Sequence, residues 1–171
     1  MAKHSTQTPS TAGKLHRDAR RTTTTSQAVQ KTILVVDDDL QIRESLRKVL
    51  RAEGYEVVLA GDGPEGLAKF AQAWMDLVLL DISLPGKGGW DVFERMTSMN
   101  PLVPIIIITG RDQQEEVARA AGVGALLPKP LNVTLLINKI AELLAEPAPV
   151  RLQRLVGPEE GVGRSTLPEQ P

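Results

Sequence analysis

The chain has 171 residues, of which 42% are hydrophobic and 24% charged, a composition typical of one globular domain with additional tails. It contains no cysteine, which excludes disulfide bonds and thiolate metal sites. Because no apolar run approaches the roughly 18 residues that span a bilayer and the N-terminus lacks the apolar core of a secretory signal, we expect a cytoplasmic protein that does not bind membranes.

Charge and composition divide the chain into three segments. Residues 1–30 carry five basic residues against one acidic residue and show no apolar periodicity, which predicts a disordered basic tail. We expect this tail to be solvated and not to bind nucleic acid. Residues 31–146 carry 12 basic and 17 acidic residues and contain the folded domain. The Pro- and Gly-rich residues 147–171 are predicted to form a second disordered tail, with a short helix near Val150 as the alternative.

Strand and helix patterns alternate along the folded domain. Short apolar runs rich in β-branched residues are typical of buried parallel strands, and here they predict strands at residues 33–36, 55–60, 77–80, 105–108 and 125–127. Apolar residues at helical spacing predict helices through Ile42 and Leu50 with a stop at Gly54, from an N-cap at Asp62 through Phe70, through Val92 and Met96, around residues 113–121 and over residues 131–145. Five strand–helix units in sequence predict an α/β fold, a doubly wound parallel sheet with helices on both faces.

Polar residues follow four of the predicted strands. In an open parallel sheet, ligands bind just beyond the carboxyl ends of the strands, so side chains at these positions should converge on one site. The residues are Asp37, Asp38 and Asp39 after the first strand, Asp81 after the third, Thr109 after the fourth and Lys129 after the fifth.

The adjacent carboxylates of Asp37 and Asp38 predict a bound cation. Like charges this close repel unless a cation lies among them. Oxygen-only ligands favour Mg²⁺ or Mn²⁺, and Asp81 is the natural further ligand or reacting group. Asp39 is better explained as the N-cap of the following helix.

The other strand-end residues fit phosphoryl chemistry. A carboxylate beside Mg²⁺ can accept a phosphoryl group and form an aspartyl phosphate. Such a transfer needs positioning and charge neutralisation, and three phosphoryl oxygens need three partners. Mg²⁺ would bind one oxygen, Lys129 would pair with a second, and Thr109 would donate a hydrogen bond to the third.

The motifs ILVVDDD, LVLLDISLPGKGG, IIIITG and LLPKP, in this order, resemble those of the receiver domain of response regulators in two-component signalling. The resemblance covers about residues 31–146. It implies a flavodoxin-like (βα)5 fold with strand order 2-1-3-4-5. It also implies that the phosphoryl group comes from a sensor histidine kinase or a phosphotransfer protein. Because no DNA-binding or enzymatic domain is recognisable after Glu146, we expect a stand-alone regulator without an output domain. Phosphorylation would then change interactions with an unknown downstream protein, and homodimer formation remains an open alternative.

The same resemblance implies a role for each acidic residue. Asp37, Asp38 and Asp81 would hold Mg²⁺ together with the backbone carbonyl of Ser83. Asp81 would be the phosphoacceptor, so we expect a signalling protein and not an enzyme. The phosphorylated form would hydrolyse slowly, at a rate tuned by the side chains of Ser83 and Arg111.

Residues near the fifth strand match the family less uniformly. Thr109 and Lys129 match the hydroxyl and the lysine that register the phosphoryl group, and the family has a cis peptide between this lysine and Pro130. Leu126 stands where the family often has Tyr or Phe, and Leu131 also replaces a commonly aromatic residue. We therefore expect phosphorylation to be retained, while its transmission to the surface is in question.

Two other functions compete with this interpretation. Asp37 and Asp39 have the Asp-x-Asp spacing of haloacid-dehalogenase-type phosphatases, in which Asp37 would be the nucleophile. That family needs another acidic pair after the lysine, whereas the next acidic residue here is Glu142. A degenerate receiver that acts only as a binding module is the third hypothesis, and it is supported only by Leu126.

Overall fold

The computed structural model describes residues 30–85, 88–110 and 122–156. The predicted basic tail up to residue 29, the predicted helix at 113–121, Arg111 and residues 157–171 lie outside these ranges. The strands are β1 (Thr32–Val36), β2 (Glu56–Ala60), β3 (Leu77–Asp81), β4 (Ile105–Thr109) and β5 (Ala125–Pro128). The helices are α1 (Leu40–Ala52), α2 (Gly63–Gln72), α3 (Gly89–Met99), α4 (Val133–Ala145) and α5 (Ala148–Val156).

The five strands form one parallel sheet in the order β2-β1-β3-β4-β5, which confirms the expected topology. Val36 aligns with Leu80 across β1 and β3, and Asp81 aligns with Ile108 across β3 and β4. All strands therefore point their carboxyl ends at the same edge of the sheet. Pro128, which cannot donate to a strand ladder, lies exposed at the end of the edge strand β5, where its missing N–H is tolerated.

Alternate residues of each central strand enter two separate cores. Leu34 and Val36 of β1 pack in one core with Phe93 and Met96 of α3. Ile33 and Val35 pack in the other core, on the opposite face of the sheet. Helices α1 and α4 cover this second face through Leu46, Leu50, Leu136, Ile140 and Leu143. The strands are buried on both faces, which explains their nearly continuous apolar sequence.

Helix ends follow the predicted capping residues. The Asp39 carboxylate accepts hydrogen bonds from the N–H groups of Gln41 and Ile42 at 2.7 and 3.3 Å. Asp62 caps α2 in the same way, accepting from the N–H of Glu65 at 2.7 Å. Gly54 follows α1 with a φ of 87°, a conformation that favours glycine.

The region after Glu146 differs from the prediction. The expected disordered tail is wrong for residues 148–156, which form α5. Pro149 lies in the first turn of this helix, where its missing N–H costs no helical hydrogen bond. Arg151 attaches α5 to the domain, because its guanidinium donates to the carbonyl oxygens of Leu143 and Leu102 at 2.8 and 3.1 Å. Among the described residues, no helix is long and apolar enough to cross a membrane.

Candidate functional site

Three carboxylates meet at the carboxyl edge of the sheet. Asp37 follows β1 and Asp81 ends β3, and these two strands are hydrogen-bonded neighbours. One carboxylate oxygen from each of Asp37, Asp38 and Asp81 lies within 4.8 Å of the others. Asp37 and Asp81 are 0% and 1% exposed, whereas Asp38 is exposed. The cluster thus has two buried members and one that faces solvent.

Lys129 reaches this cluster from the end of β5. Its Nζ lies 3.0 Å from Oδ2 of Asp37 and 2.7 Å from Oδ2 of Asp81. Burial of the ammonium group acts to lower the Lys129 pKa, but the hydrogen bonds and charges of the two carboxylates outweigh it, and the net pKa is raised. Lys129 is therefore held in its charged form between the two buried carboxylates.

The second oxygen of each buried carboxylate accepts a backbone hydrogen bond. Asp37 Oδ1 accepts from the N–H of Asp39 at 2.8 Å, and Asp81 Oδ1 accepts from the N–H of Ser83 at 2.8 Å. Each hydrogen bond joins two residues that are two positions apart in the sequence, a local pattern that aspartate favours in turns. They fix the orientation of each carboxylate relative to Lys129.

Burial raises the pKa of Asp37 above its ordinary value. The hydrogen bonds from the Asp39 N–H and from Lys129 oppose this rise, and the nearby charge of Asp81 adds to it. A buried carboxylate next to a like charge is stabilised in its ionised form by any further cation. The electrostatics of Asp37 therefore favour cation binding.

Thr109 lies buried at the carboxyl end of β4. It is one residue beyond Ile108, the register partner of Asp81, and its carbonyl oxygen accepts the Lys129 N–H at 2.7 Å. The structure thus brings Thr109 to the same edge as the acidic cluster. The Lys129–Pro130 peptide is cis, as the resemblance implied.

Ser83 follows the cluster by two residues, and its side chain is exposed. Leu126 is partly buried and packs against the core that contains Leu34 and Met96. Arg111, which the resemblance linked to hydrolysis of the phosphorylated form, lies outside the described residues.

The donor set of this site fits a hard divalent cation. Its carboxylate oxygens are close enough together to share one ion. Within the described part of the chain, Lys129 is the only basic side chain that forms ion pairs with them, so an excess of negative charge remains. The residues present are therefore compatible with Mg²⁺.

The geometry does not favour Asp39 as a partner of Asp37 in an Asp-x-Asp pair. The Asp39 side chain is used at the start of α1, and it is not a member of the acidic cluster. The spacing that suggested a phosphatase is explained by helix capping.

Sequence reasoning missed Arg43. This half-buried residue lies in the first turns of α1, and its guanidinium donates to the carbonyl oxygen of Asp37 at 2.5 Å. The sequence does place a basic residue six positions after Asp37, near the start of the predicted helix, where its side chain can reach back to the end of β1.

Comparison with known proteins identifies the family. The family model described as the response regulator receiver domain matches residues 33–141. Response regulator MprA of Mycolicibacterium vanbaalenii is 39% identical over 137 residues, which cover 78% of this chain and 54% of the relative. Sensory transduction protein RegX3 of Mycolicibacterium smegmatis is 36% identical over 115 residues, 66% of this chain and 50% of the relative. The chain thus spans about half the length of the curated relatives it matches.

Solved structures give the same result. The CheY-like receiver domain of Methanospirillum hungatei is 38% identical with a TM-score of 0.64, covering 67% of this chain and 94% of that one. The response regulator TrrA of Thermotoga maritima, solved in complex with Mg²⁺ and BeF, is 35% identical with a TM-score of 0.63, covering 67% of this chain and 99% of that one. This chain therefore belongs to the response regulator receiver domain family.

Proposed function

We propose that this domain is a phosphoacceptor of two-component signalling, in which Asp81 receives a phosphoryl group from a phosphohistidine of a sensor histidine kinase or a phosphotransfer protein. The observation that carries the proposal is the setting of Asp81. Its carboxylate is buried at the sheet edge, with one oxygen held by the Ser83 N–H and the other by Lys129. A carboxylate fixed in this way is positioned for in-line attack on phosphorus.

Asp37, Asp38 and Asp81 would hold Mg²⁺, with the backbone carbonyl of Ser83 as a further ligand. Bound Mg²⁺ supplies charge neutralisation between the carboxylates and the phosphoryl oxygens. The excess negative charge of the cluster supports this assignment. The complex of the Thermotoga relative with Mg²⁺ and BeF adds support at the level of the family.

Transfer forms a bond between a carboxylate oxygen of Asp81 and phosphorus. The phosphorus–nitrogen bond breaks at the same time, and its electron pair leaves with the imidazole of the donor. Lys129, which now pairs with both buried carboxylates, would turn toward a phosphoryl oxygen. Thr109, at the end of the next strand, would donate its hydroxyl hydrogen to another.

The output of this step is a change in binding to a downstream protein, and we place the reaction in the cytoplasm. Leu126 cannot report the phosphoryl group through a ring rotation, because its side chain is aliphatic. We infer that its packing against the core below α3 transmits the change instead. Action without an output domain stays a prediction, since the matched relatives are about twice as long as the shared region.

The test is labelling by a small phosphodonor such as phosphoramidate, followed by intact-protein mass spectrometry. We expect one phosphoryl group in the presence of Mg²⁺ and none after chelation of the metal. Asp81→Asn should abolish labelling, whereas Asp91→Asn should not, because Asp91 is a partly exposed residue of α3 that pairs with Arg95. Undiminished labelling in Asp81→Asn would contradict the proposal. Steady hydrolysis of a phosphate monoester that depends on Asp37 and not on Asp81 would favour the phosphatase.

A further inference from the structure

Arg43, a residue of helix α1, is linked to the acidic cluster through a backbone carbonyl group. Its guanidinium donates to the carbonyl oxygen of Asp37, and its side chain is half-buried. A hydrogen bond from a charged donor is stronger than one between neutral groups. The contact is therefore suited to fixing the peptide that joins Asp37 to Asp38.

This peptide controls the direction of the Asp38 side chain. Among the described residues, no hydrogen bond or ion pair holds the exposed Asp38 carboxylate, so only the backbone orients it. The peptide group is planar, so holding the Asp37 oxygen also fixes the nitrogen of Asp38. On the other side, the N–H of Asp39 is held by Asp37 Oδ1 at 2.8 Å. Asp38 thus lies between two fixed peptides.

The guanidinium of Arg43 also packs against the turn after β2. Three guanidinium atoms lie 3.4–3.5 Å from the point where a Cβ on Gly61 would be, so the group covers this turn. The N–H of Gly61 donates to Glu65 at 2.6 Å. The pKa of Glu65 is lowered by this hydrogen bond first, by Lys69, and also by the charge of Arg43. Arg43 therefore lies between the Asp37 carbonyl and an acidic group on α2.

We infer that Arg43 is a positioning residue that fixes the Asp37–Asp38 peptide and thereby presents the Asp38 carboxylate to the cation. The inference rests on the proposed function, since it assigns Asp38 to the Mg²⁺ site. Arg43 itself does not touch the cation or the phosphoryl group. It acts through the backbone that carries the ligands.

The test compares Arg43→Met with Arg47→Met. Arg47 lies one turn further along α1 and pairs with Glu44 at 2.5 Å, so its replacement removes the same charge without touching Asp37. Calorimetric titration with Mg²⁺ should show binding about tenfold weaker in Arg43→Met and within about twofold of wild type in Arg47→Met. Arg43→Lys, which keeps the charge and a donor, should recover most of the affinity.

Two further measurements separate positioning from a general loss of stability. The Mg²⁺ concentration that half-saturates labelling should rise in Arg43→Met, while the labelling rate at saturating Mg²⁺ stays within about twofold of wild type. In the metal-free protein, hydrogen exchange at the Asp39 amide should become faster in Arg43→Met and stay unchanged in Arg47→Met. If Arg43→Met does not fold, Arg43→Gln and Arg47→Gln replace the pair, with the same expected difference.

The outcomes distinguish the two levels of the proposal. Equal Mg²⁺ affinity in wild type and Arg43→Met would overturn the role of Arg43 and leave the phosphoacceptor function intact. An equal loss in Arg47→Met would also overturn it, because the effect would then be one of charge alone. A wild-type protein that neither binds Mg²⁺ nor accepts a phosphoryl group would overturn the proposed function together with this inference.

Discussion

The ammonium group of Lys129 lies 2.7 Å from the Asp81 carboxylate oxygen that does not accept from the Ser83 N–H. Lys129 thus occupies the free oxygen of the residue that we propose to be phosphorylated. It also neutralises part of the charge that would attract Mg²⁺. Binding of a cation to this carboxylate oxygen therefore competes with the ion pair between Lys129 and Asp81.

Replacement of Lys129 should make Mg²⁺ bind more tightly. Lys129→Met removes a positive charge from the acidic cluster, and we expect about fivefold higher affinity. Calorimetric titration measures the change, and Lys139→Met is the matched control because Lys139 pairs with Glu142 on the surface. Weaker binding in Lys129→Met would show that the lysine organises the site for the cation.

Mg²⁺ binding should weaken as the pH falls. Burial raises the pKa of Asp37 above its ordinary value of 3.8, so protons compete with Mg²⁺ at higher pH than at a solvated aspartate. Titrations in buffers of different ionisation enthalpy should detect proton release on Mg²⁺ binding as the pH approaches the raised pKa. Asp37→Asn should release no such proton.

The same pKa shift makes the protein without Mg²⁺ less stable as the pH rises, whereas it makes Mg²⁺ binding stronger. The folded state binds the Asp37 proton more tightly than the unfolded state does. The contribution of Asp37 to the free energy of unfolding therefore falls as the pH rises from the ordinary to the raised pKa. A larger contribution on the high-pH side of this window would contradict the assignment of burial as the main cause.

Gly89→Ala should destabilise the domain, although alanine favours helices. A Cβ at this position would overlap Ile82 Cα and lie 2.8 Å from the carbonyl oxygen of Asp81. We expect a loss of about 2 kcal/mol in the free energy of unfolding, measured by urea denaturation. Gly88→Ala is the control, because no atom lies within 4 Å of a Cβ there. If both substitutions lower the free energy of unfolding equally, the loss comes from the backbone conformation of glycine and not from the contact of the Cβ with Ile82 and Asp81.

Asp76 should contribute to stability at the edge opposite the acidic cluster. Its carboxylate accepts from the Thr32 N–H at 2.8 Å and pairs with Lys31 at 2.8 Å. Asp76→Ala should lower the free energy of unfolding by about 1.5 kcal/mol, since it leaves a partly buried N–H without its partner. Lys31→Met, which removes only the exposed ion pair, should cost less than about 0.5 kcal/mol. Thermal unfolding in the absence of Mg²⁺ compares the two.

The sheet and the acidic cluster could be predicted because short-range patterns specify them. Buried parallel strands need apolar residues on both faces, and the runs ending at Val36 and Leu80 meet this need. Strand ends of neighbouring parallel strands meet at one edge, which brings Asp37 beside Asp81. The caps Asp39 and Asp62 were predictable for the same reason, since their hydrogen bonds span two or three residues.

Contacts that depend on side-chain conformation were not predictable. Lys129 was expected to pair with a phosphoryl oxygen, but its distances to Asp37 and Asp81 depend on the rotamer of a long side chain. The apolar pattern of α4 does not distinguish Leu135, which is 43% exposed, from its neighbour Leu136, which is buried. A step of one residue rotates the side chain by about 100° around the helix.

Helix α5 shows a different limit. The composition after residue 146 is that of a tail, whereas Arg151 bonds the carbonyl oxygens of Leu143, eight residues away, and of Leu102, 49 residues away. The periodicity of apolar residues does not predict such contacts between a side chain and the main chain.

The way Arg151 attaches α5 has an evolutionary consequence. Its hydrogen bonds at 2.8, 3.1 and 3.5 Å all end on main-chain oxygens, those of Leu143, Leu102 and Leu144. Main-chain oxygens persist when side chains change, so these three positions can drift among residues that keep the local backbone. Among the residues whose side chains are described, Arg151 makes every side-chain hydrogen bond that joins α5 to the domain, so one substitution at this position would remove all three.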